Sequence, residues 1–148
     1  MKKIVLFVFT ISIFLSLLTM SAQAQQNDWT LYKEVNGIQI FQKPTECHDV
    51  ANGLHQEIIL LKFVNTTPRD MEMTWTLEAW YDGKCLTCND QDNPEYQFSQ
   101  NIKGGESVSG TCDINEGRTL RIFKGFLDKE NTSTLTKFEL KNIQANPL

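Results

Sequence analysis

From Trp29 onward, apolar residues recur mainly at every second position, in short runs broken by turn residues. No long stretch repeats them at the 3.6-residue helical period. Side chains alternate between the two faces of a strand, so this pattern predicts β-structure. The first two runs, residues 29–35 and 38–41, are separated by Asn36-Gly37. Both residues tolerate positive φ, which makes this pair a hairpin signal. Residues 54–64 are apolar at consecutive positions around Ile58-Ile59-Leu60-Leu61, as a central strand buried on both faces would be. A helix competes for this run because few of its residues are β-branched, but the flanking Asn52-Gly53 and Asn65-Thr66-Thr67-Pro68 favour a strand. Residues 71–81 alternate most regularly, with Met71, Met73, Trp75, Leu77, Ala79 and Tyr81 on one face. That register puts Trp75 and Leu77 in the core and Glu78 in solvent. It also makes Met71 and Met73 core residues rather than metal ligands. Further runs cover residues 96–102, 107–111, 120–123 and 135–140.

Seven or eight short strands in one chain predict an all-β fold. The economical arrangement is an antiparallel two-sheet sandwich, immunoglobulin- or fibronectin-like, with a small closed β-barrel as the alternative. The Cys-Trp-Cys spacing of antibody domains is absent. The entry hairpin "WTLYKEVNGIQIFQK", the cysteine placement and the closing strand "LTKFEL" together resemble small secreted β-sandwich proteins of bacteria. The resemblance runs loosely over residues 29–140 and implies a fold and a compartment, not an activity.

The start of the chain points to the same compartment. Lys2 and Lys3 precede an apolar run at residues 4–18, and Ser21-Ala22-Gln23-Ala24 follows with small residues at the cleavage positions. This is the pattern of a secretory signal peptide over residues 1–24, leaving one domain over residues 25–148. The run is shorter than the roughly 20 apolar residues that a membrane span requires. The expected location is therefore secreted or periplasmic, with no membrane insertion of the mature chain. Losing Lys2 and Lys3 takes the formal net charge from −4 to −6. With no Lys/Arg cluster, the domain has no electrostatic footprint for nucleic acid.

The candidate chemistry lies in the cysteines. Cys85 and Cys88 form a CxxC pair, while Cys47 and Cys112 stand alone. If consecutive strands run antiparallel, all four come to one end of the sandwich, with His48 beside Cys47. An even number of cysteines in an exported chain predicts disulfides. Sequence leaves open whether Cys47 pairs with Cys85, Cys88 or Cys112. A zinc site drawn from Cys47, Cys85, Cys88, Cys112 and His48 is one alternative, weakened by having one CxxC knuckle where clear zinc signatures have two. A thiol-redox couple is the other. Its cysteine needs an environment that stabilises thiolate, and the acidic turn sequence Asn89-Asp90-Gln91-Asp92-Asn93-Pro94 follows Cys88 instead.

Lesser candidates are His55 with Glu57, able to bind a metal or relay a proton but more simply a polar strand end. Asp82, Asp90 and Asp92 lack the spacing of a known calcium loop. The sequons at Asn65 and Asn131 bear on glycosylation only in a eukaryotic secretory pathway. No nucleophile elbow, HExxH or phosphate-loop pattern occurs. The expectation is an exported non-catalytic module with a binding or structural role, with no cofactor. Its partner would be a protein, a glycan or an envelope component. The alternative is a thiol-redox or zinc protein.

Overall fold

The computed structural model describes residues 28–88 and 93–148. The expected signal peptide and its cleavage site lie outside them, as do Asp90 and Asp92. The described residues form nine strands: β1 (Thr30–Val35), β2 (Ile38–Asp49), β3 (Leu54–Asn65), β4 (Met71–Tyr81), β5 (Lys84–Cys85), β6 (Gln97–Ile102), β7 (Ser107–Ser109), β8 (Arg121–Phe126) and β9 (Leu135–Pro147). They build two antiparallel sheets that do not close into a barrel. In the first sheet β1 pairs β2 and β2 pairs β3, while β7 and β8 share the far edge of β3. In the second, β9 runs along one edge of β4, while β6 and β5 share the other.

Alternation places the core between the sheets. Ile38, Ile40, Ile59, Leu61 and Phe63 of the first sheet meet Met71, Met73, Trp75, Ala79, Leu140 and Ala145 of the second. The consecutive apolar run of β3 now has a reason. Ile59, Leu61 and Phe63 face this core, whereas Ile58 and Leu60 face the opposite way, into a second cluster with Cys47, Trp29 and Phe123. Asn36 and Gly37 have φ of 48° and 82°, completing the tight β1–β2 turn.

Three departures from the alternation pattern have a clear local cause. β2 continues past residue 41 to Asp49 despite Pro44. The pairing of β1 ends opposite Gln42, so Pro44 lies on an open edge where its missing N–H costs no ladder bond. β9 continues to Pro147 through an irregularity at Asn142, whose φ of 50° breaks the period of two. β5 is only two residues long and is set by a tight turn at Asp82-Gly83, with φ of 50° and 79°.

Glu78 also departs from expectation: it is 8% exposed. On the outer face of the second sheet it lies opposite Glu139 of β9, with Lys141 Nζ at 3.8 Å. Side chains of β9 cover a position that alternation alone assigns to solvent. Asn65, the first sequon, is 1% exposed. Its amide donates to the carbonyls of Arg69, Ile102 and Lys103, and its Oδ1 accepts from Thr67. In the folded chain this side chain ties the β3–β4 connection to the β6–β7 connection.

Candidate functional site

The cysteines join as Cys47–Cys112 and Cys85–Cys88, with Cα–Cα distances of 5.4 and 5.7 Å. Each pair does a different structural job.

Cys85 lies opposite Trp80 in the β4–β5 hairpin. Between the stretches of β4 paired with β6 and with β5, the edge at Leu77 and Ala79 has no partner strand. Thr87 fills that gap. Its hydroxyl donates to Leu77 O at 2.9 Å and accepts from Ala79 N at 3.0 Å, and Leu86 N donates to Ala79 O at 3.0 Å. The Cys85–Cys88 bridge closes the loop around Thr87, and Cys88 N–H points to Cys85 Sγ at 3.1 Å. The CxxC motif thus serves as an edge filler for β4. Thr87→Val, which keeps the shape but removes the hydroxyl, is expected to cost about 1–3 kcal/mol by leaving two buried backbone groups unsatisfied. Denaturant titration measures the loss, and faster hydrogen exchange at the Ala79 amide locates it. Unchanged exchange at Ala79 would refute the role given to Thr87.

Cys47 sits near the far end of β2 on the outward face of the first sheet, packed with Ile58 and Leu60. After β7 the chain leaves the edge of β3, passing so close to the Leu120 backbone at Gly110 that a Cβ there would overlap its carbonyl. The chain then crosses that outward face, and the disulfide pins it at Cys112. Arg121 Nη1 donates to Cys112 O at 2.9 Å. Asp113 accepts from both the backbone and side-chain nitrogens of Asn115, tightening the loop from within. Facing it is the β2–β3 connection, a 3-10 turn at Val50–Asn52 capped by Asp49. Asn52 donates to both carboxylate oxygens of Asp49, and these bonds hold the Asp49 carboxyl below its ordinary value.

Between the pinned loop and the capped turn lies an open groove of about 710 Å³. Its floor is the Cys47–Cys112 bridge with Leu54 and Gln56. Asp49, Asn52, Asp113, Asn115 and Arg121 supply polar groups along its walls. Val50 and Ile114 stand on its rims and are 81% and 65% exposed. These two aliphatic side chains, facing each other across the groove, make it the candidate contact surface of the described residues.

His48 does not join the sulfur atoms. Adjacent residues on a strand point to opposite faces, so while Cys47 faces the groove floor, the His48 ring turns to His55 on β3, with Nδ1 atoms 2.9 Å apart. Glu57, the lesser candidate partner of His55, is held by Lys124 at 2.7 Å. All four sulfurs are in disulfides, so the thiolate set of a cysteine zinc site is not formed. The groove also takes in Val50, Gln56, Ile114 and Arg121, which no local sequence motif marks. The one hint was Ile114, an isolated apolar residue inside the turn-rich run Thr111-Cys112-Asp113-Ile114-Asn115-Glu116-Gly117. Compared with protein-family models, curated proteins and solved structures, the chain matches none, and the groove's own geometry is what argues its role.

Proposed function

We propose that this chain is an exported, non-catalytic recognition module of immunoglobulin- or fibronectin-like type, and that the disulfide-pinned groove takes a segment of a partner protein. The observation that carries this reading is the pair of exposed aliphatic rims, Val50 and Ile114, on backbone held by a disulfide and an Asp cap. Holding those loops in place before encounter removes part of the ordering cost of binding. Aliphatic rims suit an apolar side chain of a protein partner better than a sugar ring, which is gripped by flat aromatic faces. Asp49, Asp113 and the backbone of the two loops offer hydrogen bonds to the partner's main chain. The disulfides and the signal-peptide pattern support an oxidising compartment outside the cytoplasm.

The test is site-specific photo-crosslinking in the producing cell. A crosslinker at position 50 and one at position 114 are expected to trap the same protein. One at Leu86, equally exposed but beside the second disulfide, is expected not to. Adding Ile114→Asp should abolish trapping from position 50. Equal trapping from all three positions, or none from positions 50 and 114, overturns the groove as the recognition surface.

A further inference from the structure

The β2–β3 hairpin carries a second constellation on its other face. Glu46 and His48 stand two residues apart on β2, and His55 and Glu57 stand two apart on β3. The register pairs His48 with His55 and Glu46 with Glu57. Residues two apart on a strand share a face, and so do directly opposed residues. The four side chains therefore form one ladder on one face, while Cys47 and Gln56 between them face the groove. The ladder begins just beyond Ile59, where the inter-sheet core ends, and His48 remains half-exposed. It holds both histidines of the chain.

We propose that this ladder binds one borderline divalent transition-metal ion of the Zn²⁺/Cu²⁺ class, with His48 Nδ1 and His55 Nδ1 as its protein ligands. Two nitrogens 2.9 Å apart can both lie about 2.0–2.1 Å from a single ion. The 2.9 Å Nδ1–Nδ1 contact is a hydrogen bond in the metal-free chain, so one Nδ1 carries a proton there, and an ion held by both nitrogens takes that proton's place. Glu46 Oε2 is 3.7 Å from His48 Nε2. At 3.7 Å the pair is not hydrogen-bonded, but a small approach of Glu46 would let it orient the His48 imidazole from the outer shell. Lys124 occupies Glu57 at 2.7 Å and keeps it from adding a second uncompensated charge beside the rings. Among the described residues no three metal-ligating groups already converge. Water therefore completes the coordination, and the site is an open one. Imidazole ligands select Zn²⁺ and Cu²⁺ over the oxygen-seeking Ca²⁺ and Mg²⁺. The ladder's ring contacts stand on the face opposite the Cys47 and Gln56 floor of the groove, although His48 also borders the groove.

Calorimetric titration of the untagged mature chain with Zn²⁺ and with Cu²⁺ tests it. One ion per chain is expected for at least one of the two metals. His48→Gln and His55→Gln should each weaken binding at least tenfold, and Glu46→Gln by a smaller factor. If a variant fails to fold, the wild-type chain still decides the matter. The electron paramagnetic resonance spectrum of its Cu²⁺ complex should show hyperfine coupling to two equivalent imidazole nitrogens. The proposal is overturned by no binding of either ion up to about 0.1 mM, an affinity weaker than about −5.5 kcal/mol. Undiminished binding in both folded histidine variants, or a copper spectrum without two nitrogens, overturns it as well.

Discussion

Replacing Cys47 and Cys112 together by alanine is expected to lower the free energy of unfolding by about 4 kcal/mol. The bridge joins residues 65 positions apart, and in the chain-entropy picture a closed loop of that length removes about this much freedom from the unfolded state. The Cys85–Cys88 bridge spans only 3 positions, so the same logarithm gives it the smaller share. Alanine is the right replacement because Cys47 packs among Ile58, Leu60, Trp29 and Phe123, where a serine hydroxyl would add its own cost. Denaturant unfolding under non-reducing conditions measures the loss. Hydrogen exchange supplies the local readout: amides of residues 111–116 should open, while those of β4 keep their protection relative to global unfolding. A loss below about 1 kcal/mol, or no change at residues 111–116, would mean that the bridge does not pin this loop. Partner crosslinking from position 114 should fall in the same variant, which ties the stability effect to the groove.

Trp75→Ala is expected to cost about 3–5 kcal/mol, the range for removing a large aromatic side chain from a packed core. Trp75 is 3% exposed, meets Phe63 edge-on at 4.9 Å between ring centroids and stacks on Phe98 at 5.6 Å. Phe63 belongs to the first sheet and Phe98 is the cross-strand partner of Trp75 in the second. The truncation therefore opens a cavity where the two sheets meet. Ser99→Ala, one residue beyond Phe98 and pointing outward, is the register control and should stay within about 0.5 kcal/mol. Equal losses for the two variants would show that β4 and β6 are paired in a different register.

Trp75 and Glu78 show how far alternation reaches. The same period of two along β4 puts Trp75 in the core and Glu78 in solvent, and the structure agrees for Trp75 but buries Glu78. A buried aromatic is fixed by its own hydrophobic free energy, which the residue carries wherever the strand goes. The exposure of a polar residue on the outward face depends on what the rest of the chain lays beside it, and for Glu78 that includes Lys141 from β9. The pairing of Cys47 with Cys112 has the same character. It depends on a loop leaving the edge of β3 and crossing the outward face, a path made possible by Gly110 beside the Leu120 carbonyl.

By itself, the sequence determined the two-sheet antiparallel class, the tight turn at Asn36-Gly37, the two-faced burial of β3 and the core face of β4. These follow from side-chain hydrophobicity and backbone preferences acting within a few residues. Only the tertiary structure decided the strand ends at Asp49 and Pro147, the role of Thr87 on the β4 edge, the division of the cysteines into two pairs and the groove between Val50 and Ile114. The same holds for the facing of His48 by His55. Each of these is a contact between segments far apart in the chain, set by sheet register and loop path, and a local periodicity contains neither.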